Sequence, residues 1–410
     1  MKQINNNIDQ QLGSPTGGRK AILWLIILLG SLTAFGPLSL DLYLPALPKL
    51  ADDFGTSSSL AQLSLTACMI GLSVGQLFAG SWSDIRGRRV PLLIGLALYA
   101  IASVLCALSP SIGTFIALRF IQGFAGSAGI VISRAAARDL YEGPELTRFF
   151  AMLMLVNGAA PIIAPIAGGQ LLQTMAWEGL FYVLAGWGLL LFLGVLFGLT
   201  ETLRAEKRMT GGLNETFRTF RRLLGNRKFM GYALAQGLVS ASMFAYIAGS
   251  PFVLQNIYGV SPQLFSVFFA VNGLGIIIAG QFTGRLATRV GEKKLFIAGL
   301  IIACCGGLPL LAMIAIDAPL VGILIPLFFV VASVGIVGTS GFALAMRDQG
   351  HAAGSASALL GLLSFMFGGM VAPIVGIAGS GNALPMGIII ASAELAAAFV
   401  FIFMIGRRRK

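Results

Sequence analysis

Apolar residues in this chain gather into unbroken runs of about twenty, separated by short clusters of Gly, Pro, Ser or charge, and show no strand-like alternation. The runs fall at 21–47, 59–80, 90–108, 112–135, 148–172 and 178–199, then at 229–256, 262–284, 294–315, 319–345, 353–378 and 384–406. A helix needs about 20 apolar residues to cross a bilayer core. The pattern therefore predicts an all-α membrane protein with twelve transmembrane helices in two groups of six. A polar N-terminal tail (1–20) leads into a first six-helix bundle (21–200), a linker (201–228), a second bundle (229–406) and a basic tail (407–410). Within the linker Leu213, Phe217, Phe220 and Leu224 recur at helical spacing while Arg218, Arg221 and Arg222 fall on other faces, which predicts an amphipathic helix lying along the membrane surface.

Composition agrees with this division. With 57% hydrophobic and 11% charged residues and a mean hydropathy of +0.87, there is too little charge to cover an aqueous surface. The net charge of +12 would suggest nucleic acid in a soluble protein, but its placement gives another reason. An even number of spans puts both termini on one side. All of the 28 Lys and Arg residues except Lys49, on an outer loop, and Arg119, inside the fourth span, fall on the loops and tails of that side. By the positive-inside rule that side, with both termini and the linker, is cytoplasmic. Nucleic-acid binding is thereby dismissed.

The two halves resemble each other at a nearly constant offset. Gly80-Ser-Trp-Ser-Asp84-Ile-Arg-Gly87-Arg88-Arg89 is echoed by Gly284-Arg-Leu-Ala-Thr288-Arg-Val-Gly291-Glu292-Lys293. Ala164-Pro165-Ile-Ala-Gly168 returns as Ala372-Pro373-Ile-Val-Gly376, and Pro45 maps to Pro251. Each pair joins span n to span n+6 in the same orientation, as two parallel six-helix repeats around a midplane site would.

Soluble-enzyme chemistry finds little footing. Cys68, Cys106, Cys304 and Cys305 lie in apolar runs without C-x-x-C spacing, and His351, the single histidine, lies in a polar loop where solvation is expected. No phosphate-binding loop is present, so ATP-driven transport would need another subunit. The reading is a non-enzymatic chain with no cofactor and no metal.

The loop from Gly80 through Asp84, Gly87, Arg88 and Arg89 resembles the signature of the major facilitator superfamily, where it acts as a conformational latch on the cytoplasmic side. The second copy carries Thr288 where the first has Asp84, which predicts a weaker latch in that half. Pro37-Leu-Ser-Leu-Asp41-Leu-Tyr43-Leu-Pro45-Ala-Leu-Pro48, together with Arg119-Phe-Ile-Gln122-Gly123, Arg138-Asp139-Leu-Tyr141 and Glu201-Thr202-Leu203, is similar to the Bcr/CflA branch of proton-driven multidrug antiporters. Pro165, Gly168 and Gly169 resemble the antiporter motif of exporters, with Ala164 where that pattern has Gly. The resemblance implies a monomer in a bacterial inner membrane, exporting small amphipathic drugs in exchange for protons. A nutrient symporter of the same fold is the alternative.

Asp41 is the leading candidate for proton coupling, because a carboxylate in hydrocarbon costs several kcal/mol and is by default functional. Eight residues before Lys49, it should lie about 12 Å below the outer surface, at a depth comparable to Arg119. The two are expected to meet across the first bundle. Glu394, the other acid well inside a span, is assigned a structural or interfacial role on a peripheral helix. Tyr43, Gln122, Asn157, Gln236, Phe244, Tyr246, Asn272 and Phe365 are the candidate lining of a substrate cavity, although such residues also join helices.

Overall fold

A computed structural model describes residues 19–141, 143–208, 221–347, 349, 353–379 and 381–406. Those residues form helices, tight turns and short connections, with no strand among them. The first half holds α1 (Arg19–Thr33), α2 (Phe35–Asp41), α3 (Leu47–Asp53), α4 (Ser58–Arg86), α5 (Arg89–Ala107), α6 (Ile112–Leu140), α7 (Gly143–Leu171) and α8 (Trp177–Gly198). The second holds α9 (Arg227–Phe252), α10 (Pro262–Val290), α11 (Glu292–Ala315), α12 (Leu320–Met346), α13 (Ala353–Val375) and α14 (Leu384–Phe401). Among the described residues nine helices are long and apolar enough to cross a membrane, or ten when the pair bent by 46° between Trp24 and Asp53 is taken as one span. The other two expected spans coincide with α7 and α13, whose described apolar runs are shorter, Ala159–Leu171 and Leu359–Val375.

The first span is thus broken where the hydropathy pattern showed one run. Helix geometry lapses at Ala34 and again at Leu42 and Tyr43, next to Pro37 and Pro45, because a proline removes a backbone donor and crowds the preceding turn. The helix then continues past residue 47, and Lys49, expected on a loop, lies on α3 with its ammonium 2.7 Å from Asp53. Leu213, Phe217, Phe220, His351, Asn157's side chain and the terminal tails lie outside the described residues.

The repeat seen in sequence is repeated in backbone detail. Helices α4 and α10 are both 29 residues long. Each is capped at its start by a serine hydroxyl, Ser57 accepting from the Leu60 N–H and Ser261 from the Leu264 N–H. Each ends on a glycine at positive φ, Gly87 at 93° and Gly291 at 88°, a conformation in which a Cβ would clash with its own backbone.

The halves meet along two matching seams, α4 against α13 and α7 against α10. Among the described residues six hydrogen bonds cross between the halves at the end away from the basic loops. Ser58, Ser59, Gln62 and Thr66 donate to the carbonyls of Gly376, Pro373, Ala248 and Gly369, while Gln255 and Gln263 donate to those of Pro45 and Gly169. Bare backbone makes this approach possible. A Cβ at Gly376 would stand 2.6 Å from the Ser59 nitrogen, and one at Gly169, next to Gly168, would stand 2.5 Å from the Ser266 hydroxyl. The repeated Ala-Pro-x-x-Gly motif therefore marks the seams of the closed end in both halves.

Candidate functional site

Asp41 ends α2 at the break in the first span, 6% exposed, with no hydrogen bond or ion pair to its carboxylate among the described residues. It lies near enough to the hydroxyl of Tyr246 on α9, in the second half, for the two groups to interact electrostatically. Tyr246 accepts a hydrogen bond from the Asn272 amide of α10 at 2.9 Å and stacks on Phe269, ring centres 5.5 Å apart. Nearby on the same half, Phe244 of α9 and Phe365 of α13 pack at 5.8 Å, and Gly368 leaves room for Phe244 and for Met69 of α4. Gln236, more than two turns before Phe244 on α9, is half-buried with its amide oxygen lacking a partner among the described residues. An isolated acid thus lies near an aromatic wall of the second half that has few fixed polar groups and two parts, Phe244 turned to α13 and Tyr246, two residues on, turned to α10.

The expected meeting of Asp41 with Arg119 does not occur in this structure. Arg119, fully buried on α6, donates to the backbone carbonyl of Ser39 at 2.7 Å and to the side-chain oxygen of Gln122. Its guanidinium also lies over the Tyr43 ring at 4.5 Å and the Phe181 ring at 5.5 Å. Gln122 in turn donates to Ser103 at 2.7 Å, and Tyr43 shares a hydrogen bond with Ser64 at 2.9 Å. Arg119 is held within the first bundle, whereas Asp41 lies near Tyr246 of the second half. Of the proposed cavity residues, Tyr43 and Gln122 accordingly lie within the first bundle's polar core, apart from the aromatic wall.

The loop between α4 and α5 forms a dense charge network inside the first half. Arg88 bonds Asp139 at 2.9 Å, Asp84 at 2.5 Å and Ser83 at 2.8 Å. Glu201, past the end of α8, accepts from the backbone N–H groups of Arg88 at 2.7 Å, Arg89 at 3.2 Å and Leu203 at 3.0 Å. Partial burial pushes the Glu201 carboxyl up, but those three donors, with Arg208 nearby, outweigh it and hold the group below the usual carboxylate range. Gly80 lies one helix turn before Asp84, its open face against Val131 of α6. Asp139 and Glu201 belong to the motifs singled out in sequence, yet only the structure shows that they are the partners of Arg88 and Arg89.

The second half repeats the arrangement with its charges exchanged. Where Arg88 meets Asp139 at the end of α6, Glu292 meets Arg347 at the end of α12, 3.0 Å apart. Glu394 is fully buried on α14, its carboxylate against Gly307 of α11 and near Ser242 of α9.

Comparison with known proteins bears on the same features. Residues 24–373 match the family model described as Major Facilitator Superfamily. The chain is 48% identical over 380 residues to an uncharacterized MFS-type transporter, YdgK, of Bacillus subtilis, covering 92% of this chain and 94% of that one. It is 30% identical to the bicyclomycin resistance protein homolog of Haemophilus influenzae, over 96% of this chain and 98% of the other. Its backbone superposes on the Escherichia coli xylose transporter XylE in a partially occluded inward open conformation with a TM-score of 0.73 at 15% identity, covering 94% and 98% of the two chains.

Proposed function

The chain belongs to the major facilitator superfamily and is a multi-pass membrane transporter of small molecules, and from that premise we propose that it is a proton-coupled exporter of small amphipathic antibiotics, working by alternating access in a bacterial inner membrane. The observation that carries this reading is Asp41, a buried carboxylate without a counter-ion, placed near Tyr246 and the aromatic wall of the second half. Similarity to the bicyclomycin resistance homolog supports the substrate class. In this reading both termini face the cytoplasm, and the hydrogen-bonded end of the seams is the outer gate, closed in this state. Protonation of Asp41 and occupation of the aromatic wall by drug exclude each other, so each outward drug is exchanged for an inward proton. Arg119 holds the broken first span in position through Ser39. The chain acts as a monomer.

A wall of Phe and Tyr with few fixed hydrogen-bond partners discriminates weakly among apolar ligands, since each buried methylene contributes about 0.8 kcal/mol. Expression in a pump-deficient bacterium is expected to raise resistance to several unrelated neutral antibiotics of the phenicol and bicyclomycin kind, and these compounds should compete with one another for transport in vesicles. Accumulation of a single polar nutrient, with no protection against such antibiotics, would replace export by symport.

The charge network supports a latch role for Gly80, Asp84, Gly87, Arg88 and Arg89, with a shift of emphasis. Asp84 is 38% exposed but Asp139 only 16%, and a less solvated pair is less screened. Asp139→Asn is therefore expected to shift the balance between the two facing states by about 1–3 kcal/mol, Asp84→Asn by less than about 1 kcal/mol, and Thr288→Ala hardly at all. Cysteine labelling from each side of the membrane reads that order. Equal effects at Asp84 and Thr288 would refute the asymmetry.

A further inference from the structure

At the basic end of the second half a cavity of about 640 Å³ opens between the ends of α9, α11, α12 and α14, well away from Asp41 and the aromatic wall. Arg227, Lys228, Lys293 and Arg347 line it, all of them solvent-exposed. The starts of α9 and α11 and the ends of α12 and α14 all converge here, so helix dipoles largely cancel and side-chain charge sets the sign. The only acid in an ion pair here among the described residues is Glu292, 3.0 Å from Arg347. Lys293 has no ion-pair partner among the described residues. Arg227 donates to the Phe403 carbonyl at 3.0 Å, and with four basic side chains to one paired acid among the described residues the rim is cationic and attracts an anion.

Apart from Asn226, Tyr232 and Gln349, the other walls are apolar. Phe229, Leu344, Phe403, Met404 and Ile405 line the cavity, and Phe403 and its neighbour Ile402 are 47% and 62% exposed on the flank of the last helix. Arg227 and Lys228 open α9, where the polar linker gives way to the apolar run. A cavity basic at its rim and greasy along its side fits a molecule with a phosphate at one end and acyl chains at the other.

We propose that this cavity binds the phosphate headgroup of an anionic phospholipid, with the acyl chains lying along the exposed face of Ile402 and Phe403. The assignment is independent of what the transporter carries. Bound lipid would bridge the ends of four helices of the second half and so brace that half as a unit.

The test uses the purified full-length protein in detergent, titrated with phosphatidylglycerol or with phosphatidylcholine of the same acyl chains, the complexes being counted by native mass spectrometry. Phosphatidylglycerol should bind more tightly. Lys293→Gln should weaken it about fivefold and Lys293→Gln with Arg347→Gln about thirtyfold, at the usual contribution of each basic residue near an anionic lipid, with phosphatidylcholine binding unchanged. Lys294→Gln, whose side chain does not line the cavity, should have no effect. Should the double variant melt early in phosphatidylcholine, the single Lys293→Gln variant decides. Equal binding of the two lipids, or equal losses at Lys293 and Lys294, overturns the site. Inorganic phosphate displacing phosphatidylglycerol at equal concentration would also overturn it, since the site would then hold a free anion and not a lipid.

Discussion

Asp41→Asn is expected to abolish uphill drug export while leaving the protein inserted, folded and able to let drug equilibrate. The substitution keeps the shape of the side chain and removes only its capacity to exchange a proton. No hydrogen bond or ion pair among the described residues is lost with the charge, so no partner is left stranded in the core. Removing an uncompensated buried charge should leave thermal stability equal or greater. Transport has no such tolerance. One proton per drug at a membrane potential of 100 mV supplies about 2.3 kcal/mol, equivalent to a roughly 50-fold concentration ratio. That ratio should collapse towards unity in vesicles bearing the variant. Drug added to unbuffered, detergent-solubilised wild type should release protons, whereas the variant should release none. A variant that still pumps against a gradient would show that the coupling proton is carried elsewhere, with Glu394, buried in the second half, the next residue to change.

The spans were legible in the sequence because a backbone in hydrocarbon must satisfy its polar groups within its own helix, which leaves long apolar runs as the sole solution. The parallel repeat was legible for a related reason. A terminal glycine at positive φ is a local backbone requirement, and Gly87 with Gly291 meet it at the same place in each half. Side-chain direction was not legible in this way. Asp41 and Arg119 are expected at comparable depth, but a break at Leu42 and Tyr43 rotates what precedes it, and no periodicity carries across such a break. The exchanged charges of Arg88 with Asp139 and Glu292 with Arg347 were within reach of the sequence, as the offset that pairs the two loops also pairs the two helix ends. Glu394 is buried on a helix expected at the periphery, since such a helix still has one face turned inward.

Arg119 tests the division between the two residues most directly. Arg119→Ala is expected to cost about 3–5 kcal/mol of stability, because it strands the Ser39 carbonyl and the Gln122 oxygen and empties the space between the Tyr43 and Phe181 rings. The expected sign is a sharp fall in folded yield and melting temperature, with transport lost as a consequence. Arg119→Lys keeps the charge but not the planar fork that reaches Ser39 and Gln122 together, and should lose about 1–3 kcal/mol. Because Arg119 engages the first bundle and Asp41 lies near Tyr246 of the second half, the two should act independently on stability. A double-mutant cycle of Asp41→Asn with Arg119→Lys, read by thermal unfolding in one detergent, should therefore give a coupling within about 0.5 kcal/mol of zero. A coupling well beyond 1 kcal/mol would mean that the two charges do form a pair in the state that dominates in solution, and the protonation switch would then lie inside the first bundle and not at the seam between the halves.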